Sequence, residues 1–380
     1  MSDQLSAQVS NLLFVVAIAV YVLAMIGFAA DLAGSAQRHS DARLARRERA
    51  RERVAASGGS GVAVLEHEAP ADEEPSPTTS GGMSAGSFAL VMTAAAAAMH
   101  LVAVILRGVA THRVPWSNMY EFAMTGSAVV VIVFLVVVAR RRDMRVLGTF
   151  IVLPMLILML IAQLFWYLPA AALPPSLQNS HWLVIHVLIA ILATALLTVG
   201  AVASVLQLIQ ARREKNAAAM MAGAVGGAGV AGTATDAAGI DETEIGAADG
   251  TEASTAGSRR GGRFSNAVGA VMDRLPSSSE LEAFAFRIHA VGFVLWTFTL
   301  IFGAIWASNA WGRYWGWDPK EVWTFVVWVV YAAYLHARAT VGFRGNRAAW
   351  FALVGFACII FNFTIVNTVI NGLHSYSGLT

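Results

Sequence analysis

Apolar and polar positions along this chain alternate in blocks the length of a bilayer, not in the short periods of a surface helix. Eight apolar stretches are each about 20 residues long, enough to cross a membrane as helices. They are Leu12–Ala30, Ser87–Leu106, Tyr120–Ala139, Val146–Trp166, His181–Ile209, His289–Ala307, Val322–Ala339 and Ala348–Ile370. The first has no basic residue ahead of it and seven arginines between Arg38 and Arg53 behind it. That reads as an anchor with its N-terminus outside, not as a cleaved signal. Arg140, Arg141, Arg142 and Arg145, then Arg212, Arg213 and Lys215, then Arg338, Arg344 and Arg347 all fall on one side of the alternation. Cytoplasmic loops concentrate Lys and Arg, so that side is expected inside and both termini outside. The outer connections are then Arg107–Met119, Tyr167–Ser180, the run Trp311–Glu321 and the tail after Asn371.

Composition strengthens this picture. Of 380 residues, 57% are apolar and only 13% charged, about half the charged share of an ordinary soluble domain. The fold class expected is all-α: a polytopic membrane helix bundle in the plasma membrane. A net charge of +2 does not indicate nucleic acid, because the arginines sit in short runs beside apolar segments. The one cysteine, Cys358, has no partner in the chain for a disulfide or redox pair, so any thiol chemistry must come from another protein.

The chain divides into a membrane anchor (1–36), an arginine-rich inner loop (37–85), a first part of the membrane core (86–211), a low-complexity inner loop (212–276) and a second part of the core (277–380). Both inner loops are expected to be disordered: Ala55–Ala85 is rich in Ser, Gly, Pro and Glu, and Asn216–Ser258 in Ala, Gly, Thr and acidic residues. Ser279 with Glu282 makes a capping-box pattern before the sixth span. No internal repeat is evident.

The densest chemistry lies in Trp311-Gly-Arg313-Tyr314-Trp315-Gly-Trp317-Asp318-Pro319-Lys320-Glu321. Three indoles, a tyrosine and two cations in one polar break suit a large, flat, anionic ligand, and a tetrapyrrole with propionates has that shape and charge. Arg313 and Lys320 are natural partners for its carboxylates. Other roles are open to the same residues. Asp318, Pro319 and Glu321 also spell a helix start with a capping box. Tryptophans form interfacial belts at membrane surfaces, yet Trp306, Trp311, Trp315, Trp317 and Trp323 crowd one loop and its flanks.

Histidines supply a second constellation. His374 follows the eighth span, and His186 lies about 7 Å inside the outer end of the fifth, so both can reach the level of the tryptophan loop. Neutral imidazole is a good axial ligand for haem iron, and two from different helices would hold a low-spin centre. His336 is about 22 Å along the seventh span from Glu321, near the inner side. An ionisable group there is either a ligand or an interhelical hydrogen-bonding group. His100 is mid-span without a motif, His289 marks an inner helix end, His112 and His181 are rim residues of outer loops, and His39 and His67 belong to the first inner loop.

Several stretches together resemble one family. Trp311–Glu321 is similar to the tryptophan-rich WWD signature of haem-handling proteins, in the form found in cytochrome c biogenesis proteins of the CcsA/ResC type, labelled CcsB in actinobacteria. Pro115-Trp-Ser-Asn-Met-Tyr-Glu121 resembles that family's first outer loop, and Trp182-Leu-Val-Ile-His186-Val its first outer histidine. Gly303-Ala-Ile-Trp-Ala307, Tyr334-Leu-His336 and Gly372-Leu-His374-Ser-Tyr376 resemble the approach to the signature, the membrane histidine and the second outer histidine. The resemblance covers nearly everything from Ser87 onward except the Ala/Gly-rich loop.

It implies a component of a two-part (system II) cytochrome c synthase that carries haem b, iron protoporphyrin IX, to the outer face and joins it to apocytochrome c. On that resemblance His186 and His374 are axial ligands of the outer haem, and Trp311, Tyr314, Trp315, Trp317 and Asp318 belong to the loop that shelters it. His336 is the inner ligand, opposed by one from a CcsB/ResB-type membrane partner. The other implied partners are an apocytochrome with a Cys-x-x-Cys-His motif and thiol-reducing proteins. The extra first span and the insertion after Lys215 depart from the family pattern. A haem or organic-anion exporter without attachment activity is the alternative that the same residues allow.

Overall fold

A computed structural model describes residues 2–57, 83–170, 181–230, 274–340 and 342–374. The regular structure among the described residues is all helical, with no strand. In order they form α1 (Asp3–Ser57), α2 (Ala85–Thr111), α3 (Met119–Arg140), a 3-10 turn (Arg142–Val146), α4 (Leu147–Phe165), α5 (His181–Val230), α6 (Ser278–Trp311), α7 (Pro319–Thr340), α8 (Asn346–Phe363) and the short α9 (Ile365–Thr368). Eight helical segments among the described residues are long and apolar enough to cross a membrane, and each overlaps one of the eight expected spans. With every backbone N–H and C=O of a span paired inside the helix, length and hydropathy suffice to specify this architecture.

Contacts divide the chain into two units. The larger holds Met1–Met25, Leu90–Ala247 and Leu275–Thr380, and the smaller holds Ile26–Ala89 and Ala248–Arg274. Within the smaller unit Arg274 Nη1 pairs with Asp31 Oδ2 at 2.6 Å, and Gly27 lies close against Phe88 and Ala89.

In the larger unit α5 packs most extensively on α6. Three glycines explain how closely. A Cβ on Gly303 would fall 2.8 Å from His186, one on Gly292 2.8 Å from Leu197, and one on Gly200 2.5 Å from His289. The three pairs keep one antiparallel register, so missing side chains on each helix receive large ones from the other. Small residues permit such close approach where the surroundings are as apolar as the protein. A second core gathers Trp296, Val327, Tyr331, Tyr334, Ala352 and Ile359 from α6, α7 and α8 around buried Leu197.

Several local expectations change. The arginine-rich stretch expected to be disordered is helical to Ser57, and α5 runs on to Val230 through the start of the second inner loop. Ala, Arg, Glu, Lys and Met are strong helix formers, so a helix leaving the membrane has no reason to stop among them. The expectations for residues 58–82, with His67, and for 231–273 lie outside the described residues. The capping box of α6 is Ser277 with Glu280, two residues ahead of the expected pair. Glu282 instead pairs with Arg338 of α7. His289 is no helix end: it sits eleven residues into α6 with 0% exposure, between Tyr331 and Tyr334.

Candidate functional site

Asp318 starts α7 and organises the loop before it. Its Oδ1 accepts from Lys320 N at 3.1 Å, while Glu321 Oε2 accepts from Asp318 N at 3.1 Å and Gly316 N at 2.8 Å. The capping role read from the sequence is therefore present. Trp317, just ahead of the cap, takes φ +59°, a conformation uncommon for a bulky residue. Gly312 closes α6 in the left-handed region, its N–H donating to Ser308 O.

Asp318 also reaches the far end of the chain. His374 Nδ1 lies 2.8 Å from Asp318 Oδ1, and Leu373 N donates to Asp318 Oδ2 at 2.6 Å. Gly372 permits this, since a Cβ there would meet Asp318 Oδ2 at 2.6 Å. Burial alone would raise the Asp318 pKa, but the hydrogen bond and charge of His374, with the N–H groups of Leu373 and Lys320, hold it below its ordinary value.

His186 reaches the same place from α5. Its Nδ1 lies 2.9 Å from Thr299 O of α6, and its ring lies nearly parallel to Trp306 with centroids 6.1 Å apart. Trp306, 2% exposed, also meets His374 at 5.5 Å and Trp311 at 4.8 Å, while Trp311 meets His374 at 4.9 Å. One buried indole thus touches both imidazoles.

These groups border a cavity of about 900 Å³, at the upper end of small-molecule and cofactor sites. His186 and Thr194 of α5, Trp296 and Trp306 of α6, Lys320 and Thr324 of α7, Ile359 and Asn362 of α8, and His374 line it. Arg113, Trp116 and Ser117 of the α2–α3 connection and Tyr314 and Trp315 of the tryptophan loop complete the wall. His112 and His181, expected as rim residues, lie on it too. Thr194 is eight residues beyond His186, so the cavity extends about 12 Å along α5 from the imidazole.

Charge is placed unequally. Lys320 Nζ donates to Asn362 O at 2.8 Å and Asn367 Oδ1 at 2.9 Å, both neutral oxygens. Glu121, fully buried, receives Arg107 Nε at 3.1 Å, Arg113 Nη1 at 2.7 Å and the Ser117 N–H at 3.0 Å. Two guanidiniums over one carboxylate leave a positive excess beside the cavity. Trp116 Nε1, Trp306 Nε1, Glu321 Oε1 and Asn362 Oδ1 are buried atoms without a hydrogen-bond partner, and all four belong to lining residues. Buried polar atoms are nearly always paired, so four around one space suit a polar-edged ligand.

Not every candidate joins the site. Trp311 backs His374 without lining the cavity, and Trp317 is 77% exposed. Arg313 lies across its own loop, where a Cβ on Gly316 would fall 0.7 Å from Arg313 Nη1. The wall cation from a loop is Arg113 instead. His336 is exposed on the other half of α7, away from the cavity. Trp306, Thr299, Asn362 and Asn367 were not singled out as ligand-binding from sequence. The two asparagines did leave a signal, being amides within an apolar span.

Fold and site together define a multi-pass membrane protein with a histidine- and tryptophan-lined cavity. Residues 116–374 match the cytochrome C assembly protein family. The chain is 33% identical to the cytochrome c biogenesis protein CcsA of Gloeobacter violaceus over 72% of its own length and 81% of that relative's. It is 34% identical to CcsA of Heterosigma akashiwo over 70% of this chain and 77% of the other. The chain belongs to the cytochrome c assembly protein family, as a CcsA-type member, and its role is in cytochrome c biogenesis.

Proposed function

We propose that this protein holds haem b at the outer face of the plasma membrane and directs its covalent attachment to apocytochrome c, as one component of a cytochrome c synthase. The observation carrying this reading is that His186 and His374, 188 positions apart in sequence, contact the same indole and line the same cavity. The donor set suits haem: two imidazoles for the iron, flat rings for the macrocycle, and Lys320 and Arg113 for propionates. The substrate brings the vinyl groups across which acceptor thiols add, the sulfur bonding one carbon and the proton the other. The chain's own residues orient it. His186 and His374 fix the iron, Trp306 and Trp315 border the ring plane, and Lys320 anchors the charged edge. Cys358 lies on α8 among apolar residues and does not line the cavity, so the thiols belong to the Cys-x-x-Cys-His acceptor and its reductants.

The remaining assignments follow the same proposal. The arginine-rich ends lie inside, both termini outside, and His336 serves an inner haem position completed by a CcsB/ResB-type partner. His336 stands on the exposed face of α7, where a partner helix can reach it.

The test is the visible spectrum of the purified complex. His186→Gly and His374→Gly should each lose the low-spin bands and regain them with added imidazole, whereas unchanged bands would remove the proposed ligands. Co-expression with an apocytochrome separates synthase from exporter. Thioether-linked haem on the acceptor supports attachment, and released haem without it supports export alone.

A further inference from the structure

The two imidazoles differ in what holds them. His186 Nδ1 faces the Thr299 carbonyl at 2.9 Å, and a carbonyl only accepts, so this nitrogen carries the proton. His374 Nδ1 faces the carboxylate of Asp318 at 2.8 Å, and that carboxylate is itself held by Leu373 N at 2.6 Å and Lys320 N at 3.1 Å. With Nδ1 engaged on both rings, Nε2 is the coordinating nitrogen of each. A carboxylate drawing on Nδ1–H pushes electron density toward Nε2 and raises its strength as a ligand; a neutral carbonyl does so less.

We propose, resting on the reading of His186 and His374 as axial haem ligands, that Asp318 is a positioning residue that makes them unequal. His374 is the retained ligand, and His186 is the one replaced by the acceptor's histidine. The exchange breaks the bond between iron and His186 Nε2 and forms one to the incoming imidazole. Each lone pair stays on its own nitrogen and the oxidation state is unchanged. Both rings are packed in place, so the difference lies in the group facing each Nδ1. His374 is boxed by Trp306, Trp311 and Asp318, and the tight approach of Gly372 to Asp318 locks the tail that carries it.

Carbon monoxide added to the reduced, haem-loaded complex replaces the weaker ligand, and its infrared stretch reports the donor left on the other side. Asp318→Asn should raise that stretch and make the haem midpoint potential more positive while the low-spin bands of the CO-free protein persist. In a His374→Gly background with imidazole supplied, the same substitution should move neither. No shift with both histidines present, or an equal shift in both backgrounds, would overturn the proposal. A second measurement needs no change at Asp318. The iron–histidine stretch of ferrous His186→Gly, bound through His374, should exceed that of His374→Gly, bound through His186. Equal stretches would overturn the inequality. Absence of low-spin bands in the unsubstituted complex would instead overturn the ligation reading beneath it.

Discussion

Gly303 decides where His186 stands. The imidazole lies over the α6 backbone at a point where any Cβ would come within 2.8 Å of its Cε1. Leaving Gly303 therefore forces the ring off Trp306 and away from Thr299 O. Overpacking of this kind costs about 1–3 kcal/mol. Gly355 offers a matched comparison, because a Cβ there would meet Tyr331 Cε2 at the same 2.8 Å but outside the cavity wall. Gly303→Val should abolish low-spin haem in the purified complex, and Gly355→Val should lower thermal stability by a similar amount with the haem spectrum intact. Equal haem loss in both variants would mean that Gly303 matters for general packing only. The same residue scale explains why Lys320, not Arg313, lies on the wall. Lys320 is in the first turn of α7 and points across to Asn362 and Asn367, whereas Arg313 folds back over the side-chain-free Gly316.

Among elements, the α2–α3 connection depends most on a single group. Glu121 caps nothing itself. It gathers Arg107 from α2, Arg113 and Ser117 from the connection, and sits where Asn118 Oδ1 caps its own N–H at 2.9 Å. Breaking a buried ion pair by removing one partner costs about 3–5 kcal/mol, because the other charge stays buried. Glu121→Gln should lower the unfolding temperature in detergent and expose the connection near Arg113 to protease. If both stay unchanged, the connection is held by its remaining contacts. Elements were also the most legible level of the sequence. Each expected span is a helix, since a bilayer-length apolar run has one way to satisfy its backbone. The Asp318–Glu321 cap was legible for the same local reason. What sequence did not reveal depends on pairs far apart in the chain: Lys320 with Asn367, His374 with Asp318, Gly303 with His186. Such pairs leave no periodicity to read. Trp306 was visible as part of an aromatic crowd, but its contact with both imidazoles exists only once α5, α6 and the tail meet. The arginine-rich helix past the first span was missed for the opposite reason: its composition allowed two states, and local propensity chose the helix.

At the scale of the whole molecule, α7 connects the two ends of the proposed route. Its first turn carries Lys320 and Glu321 on the cavity, and His336 follows sixteen residues after Lys320, about 24 Å along the axis. It is also the least apolar of the eight spans, at a mean hydropathy of 1.2 in its most apolar window, as expected of a helix bearing ionisable groups at both ends. Attachment to an exported apocytochrome requires the cavity end to face outward, and the arginine distribution is what argues for that orientation. The chain has one cysteine, so Cys358→Ser gives a background in which single new thiols report their side. Trp317→Cys, at a position 77% exposed beside the cavity, should react with a membrane-impermeant maleimide on intact cells. Asp143→Cys, on the α3–α4 connection at the opposite end by the alternation of spans, should react only after permeabilisation. The reverse pattern would turn the imidazole-lined cavity toward the cytoplasm. An acceptor histidine could then reach His186 only before export, and the order of transport and attachment proposed here would have to be inverted.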